Sequence, residues 1–327
     1  MEGDKGPVCV TGGTGYVASW LIMRLLQLGY SVHATARLDP EYKRDISYLT
    51  NLPGASERLR IFSADLNRLD SFDAAIEGCT GVFHVAHPMD VFGNEPEETV
   101  SRRSVQGTLA ILKACLNSKT VKRVVHTSSS VTCMFNRKDQ GETEESIWTN
   151  IDFYRSLGPS TSAYVCSKTK TERAALEFAE NHGLDLVTLV LPLTFGPFIC
   201  PNPPSSVHIG LAMILGRENY YSILTKASFV HVDDVASAHI FLLDYPNAKG
   251  RYICSSNEIT LHKMSEFLSA KYPEFQMPTA DILDKVKGYM LPSLSSKKLL
   301  DSGFRFKYGL DEMFEGAIQC FRERGFL

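Results

Sequence analysis

Tyr164 and Lys168 stand four residues apart in the stretch "YVCSK". On a helix that spacing puts both side chains on one face, one turn apart. The pair suits proton transfer. A free phenol has a pKa of about 10, too high to trade protons readily near neutrality, and a neighbouring ammonium favours the phenolate and lowers it. Upstream, "TSSS" at 127–130 offers a hydroxyl to hold a substrate oxygen beside the phenol. Ser129 is taken as that hydroxyl, with Ser128 and Ser130 left open because the three serines run together. A nucleophilic serine would need a G-x-S-x-G turn, which is lacking around "TSSS". Ser, Tyr and Lys move protons and orient oxygens, so any hydride must come from a cofactor.

"VCVTGGTGYVASW", residues 8–20, is where that cofactor would sit. An apolar run meets Gly12, Gly13 and Gly15 and then a stretch with helical apolar spacing. A strand-to-helix turn of this kind gathers backbone N–H groups at a helix N-terminus, whose dipole favours an anion such as a phosphate. Ala18 stands where a small residue lets the helix lie against the sheet. No Lys-Ser/Thr follows the glycines, which argues against a P-loop nucleotidase. The next strand ends in Ala36-Arg37, with Lys43 and Arg44 beyond it. Arg37 is read as the guanidinium for the 2′-phosphate of NADP. Asp39 close by keeps NAD as the alternative. Asp65 and Leu66, after the third strand, are placed to touch the adenine.

These groups need a frame, and the chain supplies one. Short β-branched runs alternate with helical stretches: strands at "PVCVTGG", "SVHATAR", "RLRIFSADL", "GVFHVAH", "VKRVVHTSSS" and "LDLVTLVLP". The helices between them are "YVASWLIMRLLQLGY" ending at Gly29, "SFDAAIEGC" with Ser71 as its N-cap, "VQGTLAILKACLNS", and "SAYVCSKTKTERAALEFAENHG" ending at Gly183. Alternation at this spacing implies parallel β-α-β units in a doubly wound Rossmann sheet, with ligands at the carboxyl ends of its strands. After Pro192 the texture becomes Pro-rich and then mostly helical, while "ASFVHVDDVASAHIFLLDY" and "KGRYICSS" read as returns to the sheet. The expected division is a dinucleotide-binding domain, 1–195 plus 228–257, and a smaller, mainly helical C-terminal substrate lobe, 196–227 plus 258–327.

The net charge is −3 over 327 residues, with no basic tract, which gives no general attraction to nucleic acid or anionic lipid. The N-terminus lacks a signal peptide's charged and apolar regions, and no apolar run reaches the ~20 residues of a membrane span. The cytoplasm is the expected compartment. Eight scattered cysteines without C-x-x-C pairs read as free thiols. His84 and His87 form an H-x-x-H without further ligands, so no metal is expected.

Taken together, "VCVTGGTGYVASWLI", "YLTNLPGASERLRIFSADL", "GVFHVAHPMD", "VKRVVHTSS", "YVCSK", "GPFICPNPPSS", "FVHVDDVASAHI" and "FKYGLDEMFEGAIQC" make the chain resemble the extended short-chain dehydrogenase/reductases nearly end to end. Within them it is similar to the plant dihydroflavonol reductase-like group, on the vestitone reductase and noscapine synthase branch. The resemblance implies a Ser-Tyr-Lys triad at Ser129, Tyr164 and Lys168. It implies a cofactor set of Thr11, Gly12, Gly15, Tyr16, Val17, Arg37, Lys43, Asp65, Leu66, Val85, Ala86 and Pro192, holding NADPH/NADP+ with NAD(H) second. The expected activity is NADPH-dependent reduction of a carbonyl on an aromatic polycyclic plant metabolite of flavonoid, isoflavonoid or alkaloid type, Tyr164 giving the proton. The same residues would serve an NAD(P)+-dependent alcohol or lactol dehydrogenase. A nucleotide-sugar epimerase shares the triad, but no basic pocket for a diphosphate is evident; a non-catalytic cofactor-binding protein would not need the intact triad.

Three departures bear on the substrate. Where the superfamily often carries Asn in an N-V-x-G-T stretch that supports a proton relay, this chain has Ser104-Val105-Gln106-Gly107-Thr108. Met134 stands where dihydroflavonol reductases have an Asn that contacts their substrate, and it cannot make those hydrogen bonds. His87 stands where relatives often have Thr or Ser, just past the fourth strand. The substrate-contact set is His87, Met89, Met134, Phe198 and Tyr221, within walls also carrying Phe92, Phe135, Phe153, Met213 and Tyr220, an aromatic and Met lining suited to a flat apolar ligand. A monomer or weak dimer is expected.

Overall fold

The structure, a computed structural model, describes residues 6–38, 45–88, 95–136, 141–157, 163–289 and 291–327. Lys43, Met89, Asp39, Arg44 and Phe92 lie outside them. Twelve strands are described: β1 (Val8–Thr11), β2 (Val32–Ala36), β3 (Leu59–Ser63), β4 (Gly81–His84), β5 (Arg123–Ser129), β6 (Glu142–Thr143), β7 (Leu186–Leu191), β8 (Leu193–Phe195), β9 (Lys226–His231), β10 (Gly250–Ile253), β11 (Asn257–Thr260) and β12 (Ser293–Leu294). Seven form one parallel sheet in the order β10-β7-β5-β4-β1-β2-β3. The order reverses at β1, so the carboxyl ends of β1 and β4 flank the crevice where a doubly wound sheet takes its ligand. β1, β4, β5 and β7 are buried along their whole length, as a sheet covered on both faces requires.

Helices supply those covers. Tyr16–Gln27 buries Ala18, Leu21, Ile22, Leu25 and Leu26 against the sheet. It stops at Gly29, whose φ of 82° lets Gly29 N–H reach the Leu26 carbonyl and Tyr30 N–H the Leu25 carbonyl. The helix Val232–Asp244 packs beside it: Trp20 Nε1 donates to Asp233 Oδ1 at 2.9 Å, and Arg24 pairs with the same oxygen at 3.1 Å. On the other face lie Glu97–Ser118 and Ala163–His182, joined where Glu97 meets Lys170 at 2.8 Å.

Sequence and structure differ in four places. The helix expected from Val105 starts at Glu97, with Pro96 as N-cap and Glu97 and Glu98 complementing the dipole of its first turn. Ser71 caps no helix: the helix is Asp73–Ile76, and the Ser71 hydroxyl instead donates to the Arg68 and Asp65 carbonyls. "ASFVHV" does not return to the main sheet; as β9 it pairs with β8 and β11 in a separate three-stranded sheet, and only the helix after it packs back. Phe198, Met213 and Tyr221 are no open wall. They sit 1–2% exposed in a second core with Phe195, Phe229, Phe314 and Phe321, where Phe198 and Phe321 meet edge to face at 5.8 Å.

Candidate active site

β5 places its last three residues against different partners. Thr127 Oγ1 donates to His239 Nε2 at 2.7 Å, because His239 Nδ1 is taken by the Val235 carbonyl at 2.8 Å. Ser128 Oγ donates to Glu172 Oε2 at 2.7 Å. Ser129 is left to meet the Tyr164 phenol, and its hydroxyl acts to hold the phenol's pKa down. Ser130 begins the next helical turn, its N–H on the Leu191 carbonyl at 2.8 Å. Of the three serines left open by the sequence, the geometry brings Ser129 to Tyr164.

Tyr164 and Lys168 lie on the first turns of Ala163–His182, as their spacing requires. Lys168 is buried, and its ammonium donates to the Thr127 carbonyl at 3.1 Å. Burial pulls its pKa down to about 8, against the opposing carboxylate of Glu172. Burial pushes the Tyr164 phenol up, and the Ser129 hydrogen bond works in the other direction. Burial is thus the dominant effect on the phenol, where the spacing predicted lowering by Lys168, and a phenol raised in this way is neutral, the form that can give a proton.

Glu172 and Arg251 escaped the sequence reading, although Glu172 follows Lys168 by one helical turn on the same face. Their fully buried pair closes at 2.9 Å. Glu172 also accepts from Thr188 at 2.7 Å, and Arg251 reaches the Glu145 and Ile147 carbonyls at 2.7 Å each and Thr132 at 2.8 Å. The guanidinium lies over the Trp148 ring at 3.8 Å. This network ties β5, β10, the Tyr164 helix and the segment after β6 into one support beneath Ser129.

The glycine turn adjoins it across β4. Gly12 has φ 70°, and a Cβ there would come within 2.9 Å of the Ala86 backbone, so only glycine lets the two loops touch. Gly15 is the N-cap of Tyr16–Gln27 and provides no side-chain cap, so Tyr16, Val17 and Ala18 open the helix without one. This cradle fits a dinucleotide phosphate. Thr11 is fully buried, and its hydroxyl accepts from Val85 and Ala86 N–H at 3.1 Å each, which makes its side chain a brace for the loop. Arg37 is exposed just past β2. Asp65 accepts from Asn67 N–H at 2.8 Å, capping its own turn, while Leu66 packs on Gly107. Tyr16 Oη donates to the Gly196 carbonyl at 3.2 Å, and Pro192 follows β7 beside Ser129. Met134, half-buried, ends the short helix that starts after Ser130.

His87 Nδ1 lies 3.0 Å from Ser104 Oγ, and its ring stands edge to face with Tyr164 at 5.7 Å. His84 is clamped between Thr11 and Thr108 at 2.9 Å each and belongs to the fold. Among the described residues no group of three or more His, Cys, Asp or Glu could hold a metal, and no helix is long and apolar enough to cross a membrane.

Residues 8–254 match the model of the "NAD dependent epimerase/dehydratase family". The chain is 53% identical over 327 residues to vestitone reductase of Medicago sativa, covering all of both chains. It is 56% identical to Protein BRI1-5 ENHANCED 1 of Arabidopsis thaliana, covering 99% of this chain and 90% of that one. With noscapine synthase SDR1 of Papaver somniferum it shares 49% identity, over 100% and 95% of the two chains. The crystal structure of the alfalfa vestitone reductase superposes with a TM-score of 0.89 at 51% identity, over 98% of this chain and all of that one. Sheet order, glycine turn and relatives agree: the chain belongs to the NAD dependent epimerase/dehydratase family, the extended short-chain dehydrogenase/reductases that its motifs resemble.

Proposed function

We propose that this protein is an NADPH-dependent reductase of a carbonyl on an aromatic polycyclic metabolite. The observation that carries the reading is the Ser129 hydroxyl acting on the Tyr164 phenol at the carboxyl end of β5, near a glycine turn that opens the helix Tyr16–Gln27. When bound, the nicotinamide dinucleotide supplies the hydride. The Gly12–Gly15 turn and the N-terminus of Tyr16–Gln27 hold its phosphates, with Val85, Ala86 and Pro192 beside them. Arg37, exposed at the end of β2, reads the 2′-phosphate. Ser129 orients the substrate oxygen, and Tyr164 gives that oxygen its proton. Lys168 stands on the same helix face and carries positive charge next to the phenol as it becomes anionic. Run backwards, the same atoms take a proton from an alcohol.

Two of the relatives named above, vestitone reductase and noscapine synthase SDR1, carry enzyme names on plant metabolites, which supports the substrate class. His87 and Met134 stand closest in sequence to the catalytic strands and are the proposed substrate contacts; residues 196–227 and 258–327 form the proposed substrate lobe. Unpaired, mostly buried thiols suit a reducing compartment, and we assign the protein to the cytosol as a monomer or weak dimer.

The test is side-by-side binding of NADPH and NADH to the protein and to Arg37→Asp. Losing a charge-assisted phosphate contact should weaken NADPH by about tenfold or more, with NADH changed far less. Equal weakening of both removes Arg37 from the 2′-phosphate.

A further inference from the structure

Among the described residues His87 Nε2 is buried and has no hydrogen-bond partner, although the other ring nitrogen is engaged. A buried donor without a partner loses its hydration with nothing in return, so a position that keeps one points to a partner supplied from outside the chain. The engaged side bears on which nitrogen carries the proton. Thr171 Oγ1 donates to Ser104 Oγ at 2.9 Å, so the single proton of Ser104 is available for His87 Nδ1. With Nδ1 accepting, the neutral imidazole carries its proton on Nε2. The ring is held neutral: burial keeps its pKa well below the usual range, and Lys168, His126, His84 and Arg103 push the same way. Its edge-to-face packing on Tyr164 puts the imidazole beside the phenol that handles the reacting oxygen.

We infer that His87 is a specificity-determining residue whose Nε2–H donates a hydrogen bond to a second oxygen of the substrate, one or two carbons from the reacting carbonyl, with Thr171 and Ser104 fixing its tautomer. The ligand class is a ketone bearing a vicinal or β-placed hydroxyl, ether or carbonyl oxygen. The inference rests on the reductase reading for its substrate half. The tautomer half stands on the protein alone.

Two measurements test it. In the protein labelled with 15N-histidine and free of ligands, His87 should show a protonated Nε2 and an unprotonated Nδ1, and Ser104→Ala should erase that bias. A proton on Nδ1 in the unaltered protein overturns the inference. The second uses two aromatic ketones that differ only in a hydroxyl vicinal to the carbonyl, with His87→Phe and His87→Gln. For the hydroxylated ketone, kcat/KM should fall about 10- to 100-fold in His87→Phe and recover in part in His87→Gln, which keeps a donor. For the plain ketone the loss in His87→Phe should be at least about tenfold smaller than for the hydroxylated one, so that the preference between the two ketones collapses. Equal losses on both ketones mean a packing role, and no loss on either means that the N–H rests on the Tyr164 ring; both results overturn the inference. If the parent protein reduces neither ketone, equilibrium binding of the pair to the NADP+-loaded protein decides. Tighter binding of the hydroxylated ketone that is lost in His87→Phe supports the inference, and no preference overturns it.

Discussion

Thr127, Ser128 and Ser129 follow one another along β5, and the partner each one meets decides its role. Ser128 is committed to Glu172, while Ser129 meets Tyr164. Ser129→Ala should therefore lower kcat by about a hundredfold with cofactor affinity kept, the pattern of an interaction made in the transition state. Ser128→Ala should leave turnover within a few-fold and cost about 1–2 kcal/mol in urea unfolding, since Glu172 loses one of its donors. Reversed effects would mean that Ser128 holds the substrate oxygen. The types and spacing of Tyr164 and Lys168 were legible in the sequence because they depend on local helix geometry. The choice among three serines was not, because it rests on Glu172, 44 positions away. The same holds for Phe198 and Tyr221: an aromatic lining and an aromatic core have the same composition, and only the packing with Phe321 and its neighbours separates them.

At the scale of elements, the first half was readable because each strand and helix carries its own periodicity and stop. The helix Tyr16–Gln27 and its Gly29 end are an example. What escaped lacks such a signal. β8 has three residues, and β9 has the apolar run of a main-sheet strand yet pairs elsewhere. The support under the site is also an assembly of elements. Removing one member of a buried ion pair costs about 3–5 kcal/mol, and Arg251→Met should show a loss of that size in denaturant unfolding, with Glu172→Leu in the same chain restoring part of it. A loss under about 1 kcal/mol would mean that the pair carries little of the link between β5 and β10. Gly12→Ala puts a Cβ at positive φ against the Ala86 backbone; it should weaken NADPH binding by at least about tenfold, a cost of the order expected for a strained turn. Unchanged affinity would mean that the turn does not touch the dinucleotide.

For the whole molecule, the polar interior sets a pH dependence. Burial lowers the pKa of His84, His87, His126, His231 and His239, His126 to about 3 and His231 and His239 to about 4. A histidine whose folded pKa is depressed stays neutral in the fold while the unfolded chain takes up a proton near pH 6.5. Stability is thus full above about pH 6.5 and falls as the pH drops below it, by about 1.4 kcal/mol per pH unit for each such group. The urea midpoint should fall steeply between pH 7 and pH 5, and a flat profile would show that these rings are not buried neutral. The account's central claim is chemical, and one measurement reaches it most directly: loss of nicotinamide absorbance with NADPH across a panel of flavanone, isoflavanone and alkaloid ketones and aromatic aldehydes, for the protein and for Tyr164→Phe. The account predicts turnover on at least one ketone or aldehyde class, and loss of at least about a hundredfold of it in Tyr164→Phe with NADPH binding retained. Turnover that survives in Tyr164→Phe would contradict the assigned proton donor, and NADPH binding without reduction of any carbonyl would contradict the reductase itself.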